Sequence, residues 1–151
     1  MTEIHRTAGA ARSRLQQASL IVGAVFLLVG VLGFIPGITT GYGAMEFAEH
    51  HSEAMLLGVF QVSVLHNLVH LLFGITGIVA AQAPSTARTF LIGGGVVYLA
   101  LWVYGLAIDL DSDANFVPVN TADNWLHLAL GLGMTALGIL LTRRVRPGTT
   151  P

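Results

Sequence analysis

Two apolar segments of the chain carry nearly the same set of polar residues. They read SVLHNLVHLLFG at residues 63–74 and NTADNWLHLALG at residues 120–131. Six polar residues occupy matched positions in them, at a spacing of 57: His66, Asn67, His70, Asp123, Asn124 and His127. Ionisable side chains are rare in segments that cross a membrane and commonly mark functional sites there. We refer to these six residues as the polar centre.

The spacing within each segment is compatible with a metal or haem site. Side chains four apart on a helix share a face, as do His66 with His70 and Asp123 with His127. If the two helices are adjacent, three imidazoles and a carboxylate converge, a ligand set that suits Zn, or Fe or Cu with an open position. The asparagines would then orient the imidazoles. A haem held between His70 and His127 is a second cofactor hypothesis.

The same residues have a structural interpretation, which we favour. Polar groups buried in a bilayer must find hydrogen-bond partners, and each interhelical hydrogen bond contributes about 0.6–2 kcal/mol. Ser63 and Asn120 stand where they can cap the second and fourth helices, and Asn120 with Asp123 resembles a capping box. The polar centre would then hold helices together. Passage of protons or small solutes is a further alternative.

Four long apolar runs predict the elements that position the polar centre. Hydrophobic residues make up 54% of the chain and charged residues 10%, whereas a soluble domain has about 25% charged residues. Each run approaches the roughly 20 residues that a helix needs to cross a bilayer. The predicted helices span about residues 17–35, 63–81, 89–108 and 122–142. We therefore expect an all-α bundle of four transmembrane helices in one domain, residues 17–142, between tails at 1–16 and 143–151.

The distribution of arginine predicts the orientation. The seven arginines fall in the N-terminal tail, the second interhelical loop and the C-terminal tail: Arg6, Arg12, Arg14, Arg88, Arg143, Arg144 and Arg146. The loops on the other side carry only acidic charge. Because positive residues mark the cytoplasmic side, we predict a multi-pass inner (plasma) membrane protein with both termini cytoplasmic. Its expected partner is the lipid bilayer, with further copies of the chain or a larger membrane complex as alternatives, and no nucleic acid.

The matched segments also predict an internal repeat. Both begin at the outer side of a helix that runs from outside to inside, so the chain divides into two hairpins of equal orientation. Parallel repeats of this kind are related by an axis along the membrane normal. The second and fourth helices would then face each other.

The first outer loop distinguishes the two hairpins. Residues 44–60 have apolar and acidic residues at roughly helical spacing. We predict a short amphipathic helix on the membrane surface there, with an outward extension of the second helix as the alternative.

The paired motifs resemble those of a known family. V-x-x-x-H-N-x-x-H-L-x-x-G followed by V-N-T-A-D-N-x-L-H-L-x-x-G is similar to small four-helix membrane proteins, mainly actinobacterial, catalogued only as a domain of unknown function (DUF4383). The similarity extends from Ser19 to Leu141. It implies the four-helix topology but no established substrate, cofactor or catalytic residue. One departure is Ser63, where the resemblance implies an asparagine such as Asn120.

The function classes left open are few. The chain has no cysteine, which excludes disulfides, thiolate metal sites and cysteine catalysis. It also lacks a phosphate-binding loop and a dinucleotide fingerprint. We predict a small integral membrane protein of non-enzymatic type with a structural, accessory or binding role. The alternative is a metal- or haem-binding membrane redox protein that uses His66, His70, Asp123 and His127.

Overall fold

The structure, a computed structural model, describes residues 11–143. Most of the two predicted tails, residues 1–10 and 144–151, lies outside this range. Four helices dominate the described chain: α1 (Arg14–Leu32), α2 (Val64–Ala80), α3 (Pro84–Ala107) and α4 (Thr121–Leu140). The prediction of a mainly helical chain with four helices is therefore confirmed.

Local signals explain where the helices begin. Ser13 caps α1 and forms a capping box with Gln16, which starts this helix three residues before the predicted position. Pro84 lies in the first turn of α3, where its fixed φ suits a helix and its missing N–H costs nothing. This helix therefore begins five residues earlier than the apolar run alone predicts.

Helices consecutive in the chain pack closely through glycines. The largest interfaces are those of α1 with α2 and of α3 with α4. A Cβ atom on Gly23 would lie 2.8 Å from the carbonyl oxygen of Gly74, and one on Gly95 would lie 2.8 Å from that of Gly131. These distances permit only glycine. The two histidine-bearing helices, α2 and α4, pack mainly on α1 and α3 and not on each other.

The first outer loop differs from its prediction. It contains three two-residue strands, β1 (Thr39–Thr40), β2 (Met55–Leu56) and β3 (Phe60–Gln61), and one turn of 3-10 helix at Tyr42–Ala44. The strands form an antiparallel sheet in the order β1-β2-β3. The prediction of an amphipathic helix over residues 44–60 is therefore wrong, as is the alternative that α2 extends outward.

Backbone geometry and burial account for this difference. Within residues 44–60, Glu49, Leu57 and Gly58 adopt positive φ angles of 80°, 54° and 70°, which a right-handed helix does not contain. The apolar side chains of the loop also have a core of their own, because Ala54, Leu56 and Val62 are buried together. The loop thus buries its apolar residues against itself and the end of α1.

The two ends of the helices carry opposite charge. Arg14, Arg88 and Leu141 line one cavity, so the start of α1, the start of α3 and the end of α4 lie together. We refer to this as the basic end. At the opposite end the two acidic loops meet, where the N–H of Glu49 donates to the carbonyl of Phe116 at 2.9 Å. We refer to this as the acidic end.

Candidate functional site

The Asp123 carboxylate joins α4 to the outer sheet. Its Oδ2 atom accepts hydrogen bonds from the backbone N–H groups of Asn120 and Gln61, both at 3.0 Å. The Asn120 side chain accepts from the N–H of Asp123 in return, which completes a capping box. Asp123 is only 2% exposed. A carboxylate in this place satisfies two buried donors and also meets the positive end of the α4 dipole.

The cap residues of α2 and α4 differ in what else they bind. Ser63 accepts from the N–H of His66 at 3.1 Å and is fully buried. Asn120 has an amide donor in addition, and its Nδ2 donates to the carbonyl of Val59 at 2.8 Å. The asparagine therefore attaches the fourth helix to the first outer loop, a contact that a serine hydroxyl is too short to make.

Each asparagine of the polar centre lies against a glycine of the preceding helix. Asn124 donates from Nδ2 to the carbonyl of Gly105 at 3.0 Å. Asn67 packs against Gly33, and its Nδ2 lies 3.9 Å from the sulfur of Met45. A Cβ atom on either glycine would overlap the amide. The asparagines are thus fitted to the backbone of the neighbouring helix.

The three histidines belong to a row of packed rings. His66 and His70 stack face to face, with centroids 4.5 Å apart and an interplanar angle of 2°. The Nδ1 atom of His70 lies 3.0 Å from the carbonyl oxygen of His66. The ring centroid of Phe26 lies 5.5 Å from that of His70 and 5.3 Å from that of Tyr98, on which Phe26 stacks. The Tyr98 centroid lies 5.3 Å from that of His127. The row crosses the interior from α2 to α4 by way of α1 and α3.

Some polar atoms of this row have no protein partner. The Nδ1 atoms of His66 and His127 and the Oδ1 atom of Asn124 are buried without a hydrogen bond in the described part of the chain. The backbone carbonyl of Pro118 lies near the His66 ring. An imidazole nitrogen can donate or accept according to its tautomer, so each of these nitrogens keeps unused hydrogen-bonding capacity.

The predicted metal-ligand set is not assembled. Across residues 11–143, no group of three or more His, Asp or Glu side chains is arranged to hold a metal ion. Asp123 Oδ2 is directed at backbone N–H groups, and His66 and His70 present their faces to each other. Lone pairs of these ligands therefore do not converge, although metal binding requires it.

The space between His70 and His127 is already filled, so a haem does not fit there. Phe26 and Tyr98 form the packed rings between His70 and His127. A porphyrin ligated by both histidines would need the volume that these side chains occupy. The residues present therefore fit neither cofactor that the sequence suggested.

Several residues of the site were not predicted. They lie on α1, α3 and β3: Phe26, Gly33, Gln61, Tyr98 and Gly105. Four of them could have been found from a second repeat spacing in the sequence. Phe26 and Tyr98 are 72 residues apart, and so are Gly33 and Gly105. Gln61 has no such signal, because its contribution is a backbone N–H group.

Comparison with known proteins yields a match to a family of unknown function. The model of the family described as "Domain of unknown function (DUF4383)" matches residues 16–140. The chain therefore belongs to this family, as its paired motifs predicted. No curated protein and no solved structure matches the chain.

Proposed function

We propose that the protein crosses the inner (plasma) membrane four times, with both termini in the cytoplasm. Two of its described helices, α1 and α3, are long and apolar enough to span a membrane. Only 28% and 33% of these spans are buried inside the protein. A core helix of a water-soluble protein is mostly buried, so this exposure favours contact with lipid.

The surfaces of α2 and α4 support the same proposal. Leu72 and Ile75 on α2 are 64% and 52% exposed, and Leu132 and Leu140 on α4 are 55% and 59% exposed. The six residues of the polar centre, which lie on these two helices, are buried. Trp125, at the acidic end of α4, is 64% exposed and suits the membrane interface, where tryptophan is enriched.

We further propose that the two hairpins are parallel repeats. Corresponding contacts recur when α2 is aligned with α4 at a spacing of 57 and α1 with α3 at a spacing of 72. The recurring pairs are Gly23–Gly74 with Gly95–Gly131, Phe26–His70 with Tyr98–His127, and Gly33–Asn67 with Gly105–Asn124. Phe26 and Tyr98 would lie next to the repeat axis, because they stack on each other.

The polar centre is proposed to serve assembly and binding, not catalysis. One observation carries this function: Asp123 Oδ2 accepts hydrogen bonds from two backbone N–H groups, one of them in the outer sheet. A carboxylate used in this way fixes the acidic end onto the helices. The protein is thus a non-enzymatic membrane module whose buried imidazoles keep unused hydrogen-bonding capacity.

Substitution of Asp123 tests this function. Since one oxygen accepts both hydrogen bonds, Asp123→Asn can keep them and should cost only about 1 kcal/mol of unfolding free energy. Asp123→Ala leaves both donors unpaired and should cost about 2–4 kcal/mol. The exposed Asp113→Asn is the matched control and should change little. Thermal unfolding in detergent measures all three.

Two results would overturn the structural role. Equal destabilisation by Asp123→Asn and Asp123→Ala would mean that the charge itself is required. Stoichiometric metal by elemental analysis, or a Soret band in the absorption spectrum of the purified protein, would restore a cofactor function. We expect a colourless protein without stoichiometric metal.

A further inference from the structure

A cavity of about 320 Å³ lies at the basic end. Arg14 and Arg88 line it, and neither forms an ion pair with a described residue. Leu15 and Leu141 form part of its apolar wall. Guanidinium groups bind phosphate oxygens in bidentate geometry. The cavity therefore combines two exposed cations with apolar side chains and with the hydroxyl groups of Ser13, Ser85 and Thr142.

The backbone adds to the positive potential of this cavity. The first turns of α1 and α3 contain no acidic residue. The N-cap residue of α3, Ala83, makes no side-chain hydrogen bond to its first turn, and Ser85 of that turn lines the cavity. These turns therefore carry no negative charge, although the Ser13–Gln16 capping box satisfies N–H groups of α1 and the end of α4 at the same cavity has the opposite dipole.

An apolar groove lies farther along α1, on the side that faces α4. It encloses about 260 Å³ and is lined only by apolar residues, among them Val22, Val25, Val29, Leu126 and Leu130. A gap of this kind between packed helices forfeits dispersion contacts unless something fills it.

The two hairpins differ in side-chain size near this groove. Between α2 and α3, the rings of Phe73 and Phe90 pack with centroids 5.1 Å apart. At the corresponding positions between α4 and α1, with the same spacings of 57 and 72, stand Leu130 and Ala18. Of these two, Leu130 lines the groove, where it takes the place that the larger Phe73 has in the other hairpin.

Cavity and groove are separated by the length of a lipid acyl chain. Eleven residues separate Arg14 from Val25, and a helix rises about 16 Å over that length. The hydrocarbon of one leaflet is roughly 15 Å thick, half of the bilayer core. A phosphate beside Arg14 thus places an attached acyl chain at the level of the groove.

We propose that the protein binds one anionic phospholipid of the cytoplasmic leaflet, with its phosphate between Arg14 and Arg88 and an acyl chain in the groove between α1 and α4. The proposal rests on the membrane embedding proposed above. A phosphate group occurs both in a lipid headgroup and as a free anion, and the arginines could bind either. The apolar groove beyond the cavity favours the lipid.

Binding can be measured on the full chain in mild detergent after removal of lipid. The probes are phosphatidylglycerol, phosphatidylcholine and inorganic phosphate, with the melting temperature and native mass spectrometry as readouts. We expect phosphatidylglycerol to bind with unit stoichiometry and to raise the melting temperature. Arg14→Gln and Arg88→Gln should each weaken it about tenfold. Arg12→Gln, an exposed arginine outside the cavity, should leave binding unchanged.

A second variant tests the groove. Leu130→Phe restores the larger residue found at the matched position, so it should weaken phosphatidylglycerol binding without lowering the melting temperature of the lipid-free protein. Equal binding of phosphatidylcholine, equal effects of Arg88→Gln and Arg12→Gln, or full stabilisation by inorganic phosphate would each overturn the lipid site. Membrane embedding is tested separately by cysteine labelling. A failure of the lipid site and a failure of the membrane topology would therefore appear in different measurements.

Discussion

Asn124 and Gly105 show how single residues connect the helices. The amide donates to the glycine carbonyl at 3.0 Å, an approach that is open only because position 105 has no Cβ atom. Asn67 also packs against a glycine, Gly33, but its Nδ2 atom contacts the sulfur of Met45 instead. A buried amide without a partner costs about 1–3 kcal/mol, so the glycine is as necessary to the contact as the asparagine.

Gly105→Ala should therefore destabilise the protein. The added methyl overlaps the Asn124 amide, and we expect a loss of about 1–3 kcal/mol in the free energy of unfolding. Gly93→Ala in the same helix is the control, because nothing lies within 4 Å of its added Cβ. That variant should be neutral or more stable by up to about 1 kcal/mol. Equal stability of the two variants in detergent melts would contradict the proposed contact.

At the scale of elements, the small sheet is what closes the acidic end. Its third strand donates to Asp123 through Gln61 N–H, and Leu56 and Val62 are buried in the cluster beneath it. Two-stranded or three-stranded sheets this short have little stability alone. The sheet is therefore supported by its packing on the end of α1 and by this hydrogen bond to α4.

Gly41→Ala tests the conformation of this loop. Gly41 has a φ of 61°, and an added Cβ would lie 2.7 Å from the carbonyl oxygen of Glu53. We expect a loss of about 1–3 kcal/mol, from the left-handed backbone and the overlap together. Gly43→Ala, two residues away, has nothing within 4 Å of its added Cβ and should be tolerated. Equal stability of the two variants would contradict the left-handed conformation of Gly41.

The whole molecule is polarised along its helices. Arg14 and Arg88 lie at the basic end with Leu141, while the acidic loops lie at the other end, where Glu49 contacts Phe116. Such a separation of charge, with apolar helix surfaces between, is what the positive-inside rule describes. It is the basis of the topology proposed above.

Single-cysteine labelling tests that topology, because the chain contains no cysteine of its own. In intact spheroplasts, a membrane-impermeant maleimide should label Asp111→Cys, at the acidic end. Ser85→Cys, at the basic end, should react only after the cells are opened. Leu72→Cys, whose parent residue is 64% exposed, should stay unlabelled in both cases because lipid covers it. Labelling of Leu72→Cys from either side would contradict a membrane-spanning α2.

The sequence determined the features that depend on neighbours along the chain. Apolar runs near 20 residues specify helices because each backbone group is satisfied within its own segment. Asn120 and Asp123 are three apart, so their spacing alone predicts the capping box that they form. The repeated Asn and His residues likewise identified which positions face the interior, because a polar side chain in an apolar helix avoids lipid.

Only the tertiary structure decided which groups these side chains meet. Helical spacing determines which side chains share one face of a helix, but it does not determine which residues of other helices that face contacts. His66, His70 and Asp123 could therefore be interpreted as metal ligands. The contact from Gln61 to Asp123 spans 62 residues and involves a backbone atom that no side-chain pattern identifies. The loop at 44–60 was equally undetermined, since its apolar spacing suits a surface helix as well as a sheet. Burial of Leu56 and Val62 in their own cluster selected the sheet, because burial depends on contacts that form only when distant segments meet.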